Sequence, residues 1–178
     1  MKKDTSNAEL ALMSLLAERP MHAYEIAQII EERGMREWTQ IGFSSIYYLL
    51  KKMHKAGWLN SEEERSEVGG PSRLVYSLSK PGTAIWGKAV IHSLTNIHRG
   101  NNPFLIALSA IPLLEHKDVK IALVSKQEKL EEEAKRLVDK INGFGSNIPT
   151  NVEAMFDHTL GQITTTIEWI KRWKDNLK

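Results

Sequence analysis

The chain has 178 residues and a formal net charge of +2, with 42% hydrophobic and 26% charged residues, which predicts a soluble globular protein of one or two domains. No apolar run approaches the roughly 18 residues of a membrane span, and the basic N-terminus leads into no signal-peptide pattern. The sequence contains no cysteine, which excludes disulfides and thiolate metal sites and favours a reducing compartment. We therefore expect a cytoplasmic protein.

Two short helices are predicted near the start of the chain. Ser6 and Glu9 have the spacing of a capping box, which predicts that a buried apolar helix runs from Ala8 to Leu16. A second helix is expected from Ala23 to Arg33, with its isoleucines inward and Gly34 as its C-terminal stop.

A third helix is predicted after a linker from Met35 to Ile41, between Gly42 as N-cap and Gly57 as stop. Its apolar residues recur at i, i+3, i+4 and i+7: Ile46, Leu49, Leu50 and Met53. Its opposite face carries Ser44, Tyr48, Lys51, Lys52 and Lys55. Small hydroxyls with amines and phenols suit a recognition helix that approaches DNA phosphates, although an ordinary solvated face has the same composition.

A β-hairpin is predicted next, around the turn signal Val68–Ser72. Its inward positions are Leu74, Tyr76 and Leu78. Arg73 is expected at the tip, within reach of a groove or a phosphate, and Glu62–Glu64 on the side away from DNA. Three helices followed by a hairpin form a winged helix-turn-helix domain.

A fourth helix is predicted from Pro81 to Ile97, followed by a boundary in composition at His98–Pro103. We expect two domains, a winged helix-turn-helix domain with its connecting helix at 1–98 and an all-helical domain at 99–178. The fold class is mainly α. Trp86, Val90, Leu94 and Ile97 repeat at helical spacing along the connecting helix.

The second domain is predicted to hold a short apolar segment, Phe104–Leu114, and long helices at Lys117–Asn142 and Thr150–Leu177. The last helix has a near-heptad apolar stripe: Val152, Phe156, Leu160, Ile163, Ile167 and Ile170. Because about 80 mainly helical residues offer little internal core, we expect a homodimer formed through this domain.

Charge does not decide between two functions for the first domain. Residues 1–82 hold eleven basic and eleven acidic side chains, so DNA binding can be argued only from where the charges lie. The alternative is a winged-helix protein-interaction module without a DNA target. The histidines have no metal-ligand spacing, and no phosphate loop, nucleophile elbow or carboxylate pair is present. We therefore expect no enzyme, no catalytic or metal site and no cofactor.

Four motifs in order resemble the PadR family of bacterial transcriptional regulators. They are Glu18–Ile26, Ser45–Met53, Gly69–Arg73 and Tyr76–Ser79. The helical second half, starting near Asn102–Leu105, is similar to the virulence-activator-like domain of the longer subfamily.

The resemblance implies a homodimeric regulator, usually a repressor, that binds an inverted-repeat operator and responds to a small aromatic effector. It implies that six residues face DNA: Tyr24, Ser45, Tyr47, Lys51, Lys52 and, from the wing, Arg73. Ala23 stands where the family usually has glycine, and Leu74 where a second basic wing residue is common.

Two questions stay open at the level of sequence. Direct base readout usually needs Arg, Asn or Gln, and the exposed face of the third helix has none, so DNA shape or Gln40 just upstream could supply specificity. The roles of Trp86, Trp169 and Trp173 are also open, since each could line an effector pocket or only pack.

Overall fold

The computed structural model describes residues 5–39, 41–64, 72–97 and 102–176, and for Glu37 only the backbone. The chain forms two compact units, Met1–Arg99 and Gly100–Lys178. The fold is mainly α with one small antiparallel sheet, as the sequence predicts. Within the described ranges no helix combines the length and apolarity needed to cross a membrane.

The first unit contains five helices and three strands among its described residues. The helices are α1 (Asn7–Glu18), α2 (Ala23–Glu32), α3 (Arg36–Thr39), α4 (Phe43–Lys55) and α5 (Lys80–Thr95). The strands are β1 (Met21–His22), β2 (Leu59–Glu64) and β3 (Arg73–Leu78).

Helix α1 begins at the predicted capping box. The Ser6 side chain accepts a hydrogen bond from the Glu9 backbone N–H, and the Glu9 carboxylate accepts one from the Ser6 backbone N–H at 2.9 Å. The helix ends before Arg19, whose backbone is extended. Gly34 adopts a positive φ of 63° after α2, the left-handed conformation that ends a helix.

Two short elements were not predicted. The linker contains α3, whose single turn is reinforced by a 2.6 Å hydrogen bond from the Thr39 hydroxyl to the Met35 carbonyl. Strand β1 pairs with β3 through Met21 and Tyr76, giving a sheet of order β1-β3-β2. Elements of four and two residues are too short to show periodicity, so the pattern of apolar residues does not reveal them.

The hairpin of β2 and β3 forms as predicted, but two details of the prediction are wrong. Leu74 is exposed, whereas Tyr76 is buried, because the outer end of β3 runs past the core. The three glutamates Glu62–Glu64 cannot share one side, because successive residues of a strand point to opposite faces. The predicted turn at 68–71 lies outside the described residues.

The core of the first unit lies between the helices and the sheet. Its fully buried members include Leu12, Met13, Ile26, Ile30, Ile46, Leu50 and Met53. Helix α5 starts one residue before the predicted Pro81, capped by the Ser79 side chain. Trp86 packs against this core, and its indole N–H donates to the Ser14 hydroxyl at 3.1 Å. Leu94 and Ile97, further along the same predicted stripe, are exposed.

The second unit is built on two long helices that pack against each other. Its helices are α6 (Pro103–Ser109), α7 (His116–Gly143) and α8 (Thr150–Lys174), with short 3-10 turns at Ile111–Leu113 and Gly145–Asn147. On the stripe predicted for the last helix, Ile163 and Ile170 are buried and the other four members are half-buried. Ile170 packs with Val119 and Leu123 of α7.

Candidate nucleic-acid interface

Helix α4 is held in the first unit by its apolar stripe. Ile46, Leu50 and Met53 are completely buried, and Leu49 nearly so. The helix begins at Gly42, whose extended backbone forms the N-cap, and it is followed by Gly57 with a φ of 77°. The orientation of α4 is therefore fixed by the core, and its remaining residues are presented outward as the sequence predicts.

The outward surface of α4 is polar and basic. Tyr48 is exposed over 67% of its surface, and Ser44, Ser45, Lys51 and Lys55 are exposed as well. Neither Lys51 nor Lys55 has a carboxylate within ion-pair distance among the described residues. Two unpaired ammonium groups one turn apart provide the positive charge that a phosphate backbone attracts.

Lys52 makes a different interaction from the one expected of it. Its ammonium group hydrogen-bonds and ion-pairs with the Glu9 carboxylate of α1, which is almost completely buried. The lysine side chain itself keeps 35% of its exposure. The ion pair of Lys52 with Glu9 therefore links α4 to α1, and it largely neutralises the positive charge of Lys52.

The Glu9 carboxylate is stabilised in its charged form. Burial raises its pKa, but hydrogen bonds from Lys52 and from the backbone and hydroxyl of Ser6 outweigh burial, so the pKa lies below its ordinary value. The hydrogen bond to Glu9 correspondingly raises the pKa of Lys52. Both groups thus stay ionised through the neutral range.

Three other glutamates of the first unit are paired with arginines that lie outside α4. Three arginines on or beside α1, α2 and α3 bind glutamates: Arg19 to Glu25 at 2.5 Å, Arg33 to Glu18 at 2.6 Å and Arg36 to Glu31 at 2.6 Å. The Arg33 pair has a second hydrogen bond of 2.8 Å and lowers the pKa of Glu18. The equal charge count of this region therefore conceals a local excess of positive charge on α4.

An aromatic pair lies at the N-terminal end of α4. The rings of Phe43 and Tyr47 are 5.5 Å apart with an interplanar angle of 56°, and they are 47% and 41% exposed. The sequence predicts Tyr47 at the interface, and the structure places the exposed ring of Phe43 beside it, one turn earlier on the helix. Tyr24, at the start of α2, is 55% exposed and stacks on His22 at 6.5 Å.

Arg73 is exposed as the first residue of β3. Its cross-strand neighbour is Glu64, so the two side chains lie on the same face of the hairpin. A carboxylate so close weakens the field that Arg73 presents to a phosphate. Gln40, the alternative source of base readout, lies outside the described residues.

The described residues offer no group of three or more His, Asp or Glu side chains that could hold a metal ion. In the second unit, Trp169 stacks on Trp173 at 5.6 Å and meets the edge of Phe104 at 5.7 Å. The Lys126 ammonium lies 4.4 Å from the centre of the Phe104 ring. Trp86, by contrast, is half-buried and packs against the core of the first unit.

Solved structures with this fold extend over nearly the whole chain. Bacillus subtilis PadR in complex with operator DNA superposes with a TM-score of 0.78 and 14% identity, over 96% of this chain and 98% of that one. The same protein in complex with p-coumaric acid gives 0.80 and 14%, over 96% and 98%. A PadR-like transcriptional regulator from Bacillus cereus gives 0.65 and 17%, over 100% and 99%.

No functionally curated protein matches the sequence. Residues 12–87, from α1 into α5, match the profile of the transcriptional regulator PadR-like family. Proteins of that family are transcriptional regulators and not enzymes. The matched segment covers the winged helix-turn-helix, so over residues 12–87 this protein is similar to the transcriptional regulator PadR-like family, and over the full chain it shares the fold of the solved PadR structures.

Proposed function

We propose that this protein binds double-stranded operator DNA as a homodimer, represses transcription, and is released from DNA by a small aromatic effector. The observation that carries DNA binding is the outward surface of α4. It presents Lys51, Lys55 and Tyr48 on a helix whose orientation the core fixes, and three glutamates of the same unit are paired with arginines outside α4. We expect the protein to act in the bacterial cytoplasm, where its target DNA lies.

In the proposed complex, α4 enters the major groove with its N-terminal residues toward the bases. Ser44 and Ser45 are small enough to let the backbone approach phosphates, and Lys51 and Lys55 contact the backbone from the later turns. Tyr24 and Tyr47 donate phenol hydrogen bonds to phosphates, and Arg73 adds a weaker contact from the wing. Lys52 holds α4 against α1 through its ion pair with Glu9 and makes no phosphate contact in this complex.

Homodimer formation is supported by the apolar surface that a single chain leaves exposed. In the first unit, Ile91 and Leu94 on α5 are 61% and 78% exposed. In the second unit, Leu105 and Ile106 on α6 are 61% and 68% exposed. Contiguous aliphatic residues of this kind normally lie in an interface. A two-fold dimer would place two α4 helices on two half-sites, so the operator is expected to be an inverted repeat.

The effector is proposed from chemistry in the second unit. Planar aromatic faces at Trp169 and Trp173, with the Lys126 ammonium near Phe104, suit an aromatic ligand that carries an acidic group. Bacillus subtilis PadR has been crystallised with p-coumaric acid, which has this chemistry. We propose an effector of the same class here, and p-coumaric acid is the first probe.

The experiment compares two charge-matched double variants in fluorescence anisotropy with DNA. Lys51→Ala with Lys55→Ala removes two ammonium groups from α4, and Lys129→Ala with Lys135→Ala removes two exposed ones from α7. We expect the first variant to lose at least tenfold in affinity and the second to bind like wild type. Equal losses in both would mean that only net charge matters, which contradicts the assignment of α4.

The alternative, a winged-helix protein-interaction module, predicts that neither double variant changes DNA binding because there is none to change. The position of the charges weighs against that alternative, since Lys51 and Lys55 are exposed together on α4 although the charge count of residues 1–82 is equal.

A further inference from the structure

The exposed surface of α4 leaves sequence-specific binding unexplained by hydrogen bonds. The helix reads FSSIYYLLKKMHK and contains no Arg, Asn, Gln, Asp or Glu, the side chains that pair with the donor and acceptor pattern of a base pair. Its lysines lie in the later turns, where they would contact the backbone. Any base readout by the first turn must therefore use hydroxyl groups or apolar contact.

Phe43 is the apolar group that this turn presents. It is the first residue of α4, and 47% of its surface is exposed although its ring is one of the most hydrophobic groups in the chain. Phe43 is not among the four buried residues of α4, which are Ile46, Leu49, Leu50 and Met53. Among the described residues its ring contacts that of Tyr47, one turn later, at 5.5 Å and 56°. That contact restricts the Phe43 ring while leaving its outer edge exposed.

The residues beside Phe43 are suited to close approach. Gly42 before it has no side chain, Ser44 and Ser45 after it are small and exposed, and the first turn of α4 contains no acidic residue. An aromatic ring at this position of a recognition helix would extend toward the base edges and not toward phosphate.

We propose that Phe43 is a specificity-determining residue that reads thymine through its C5 methyl group. Thymine is the one standard base that presents a methyl group in the major groove, and phenylalanine is suited to contact it. This inference rests on the proposed function, since it requires that α4 enters the major groove. It predicts that each operator half-site contains a thymine whose methyl packs against Phe43.

The test deletes the methyl group and nothing else. Duplexes that the full-length protein enriches from a random-sequence pool are resynthesised with each thymine replaced singly by deoxyuridine, which keeps every hydrogen bond of the base pair. Affinities are measured by anisotropy for wild type, Phe43→Ala and Trp38→Ala. Trp38 is the control because it is a 53% exposed aromatic residue on α3 and not on α4.

For wild type we expect one position per half-site at which deoxyuridine weakens binding about fourfold, the effect of one buried methyl group. Replacing both symmetric positions should weaken binding about fifteenfold. Phe43→Ala should bind thymine and deoxyuridine duplexes equally at those positions, and Trp38→Ala should still discriminate between them. Circular dichroism checks that both variants fold.

Two results would overturn the inference, and they differ from each other. If the protein binds its selected duplexes but no deoxyuridine position matters, or if Phe43→Ala discriminates as wild type does, the reading of thymine by Phe43 is wrong while DNA binding stands. If no duplex is enriched and none is bound, the proposed function fails and the inference fails with it.

Discussion

Replacing Lys52 by alanine should destabilise the first unit without removing a phosphate contact. Replacing Lys51 should remove a phosphate contact and leave the stability of the unit unchanged. The two lysines are adjacent on α4, yet Lys51 is exposed and Lys52 is bound to the buried carboxylate of Glu9. Lys52→Ala leaves that carboxylate charged, buried and without its cation.

The expected cost follows from the geometry of the pair. Breaking a fully buried ion pair by removing one partner costs about 3–5 kcal/mol. Here the Lys52 side chain is 35% exposed, and Glu9 keeps two hydrogen bonds of 2.9 Å from Ser6. The loss should therefore be closer to the range for a buried polar group that loses one partner, and we expect about 2 kcal/mol.

Two assays separate the roles of the lysines. Urea-dependent hydrogen exchange of the α4 amides gives the free energy of opening of the first unit, which should fall by about 2 kcal/mol for Lys52→Ala and stay unchanged for Lys51→Ala. Anisotropy at several salt concentrations gives the slope of log affinity against log salt. That slope should become shallower by about 0.9 for each lost phosphate contact in Lys51→Ala, and stay as in wild type for Lys52→Ala.

Glu9→Gln tests whether the two effects belong to one interaction. Because both single variants break the same pair, the double variant should be less destabilised than the sum of the singles. If Lys52→Ala is as stable as wild type and reduces the salt slope as Lys51→Ala does, Lys52 contacts DNA, and its ion pair with Glu9 does not have the stabilising role given to it here.

Three further predictions concern pH, packing and assembly. Because folding lowers the pKa of Glu9, the stability advantage of wild type over Glu9→Gln should be complete above about pH 4.3 and should shrink as the pH falls toward the lowered pKa. Urea unfolding at a series of pH values measures this advantage. An advantage that grows in acid would contradict the prediction. Gly82→Ala should destabilise the first unit by about 1–3 kcal/mol or more, since the new Cβ would lie 1.9 Å from the Trp58 carbonyl oxygen. A Cβ at Gly87 would have no atom within 4 Å, so Gly87→Ala should stabilise α5 by about 0.5–1 kcal/mol. Thermal unfolding should therefore give a lower melting temperature than wild type for Gly82→Ala and a higher one for Gly87→Ala. Leu94→Glu or Ile106→Glu should weaken the dimer in sedimentation equilibrium, and unchanged dimers in both would exclude these surfaces from the interface.

Sequence patterns were sufficient where structure is local. The stripe of α4 and the glycines that bound it lie within 16 residues, so the helical period of apolar side chains predicted the helix, its buried face and its outward face together. The capping box of α1 was predicted for the same reason, since Ser6 and Glu9 are three residues apart.

The pattern was insufficient where the answer depends on distant residues. Glu9 and Lys52 are 43 positions apart, so no periodicity could predict the ion pair between them. Leu74 was expected to point inward because alternation tells which face a residue is on, but not where along the strand the core ends. The sequence likewise did not predict the exposure of Phe43, because that exposure depends on how α4 is placed on the core.

The central claim, that α4 makes this protein an operator-binding regulator, is tested most directly by anisotropy with DNA from upstream of its own gene and with a scrambled duplex, at several salt concentrations. We predict saturable binding to the upstream duplex, at least a hundredfold weaker binding to the scrambled one, and steep weakening with salt that Lys51→Ala with Lys55→Ala makes shallower. Absence of binding to either duplex at about micromolar protein and low salt, where even non-specific contacts register, would contradict the claim.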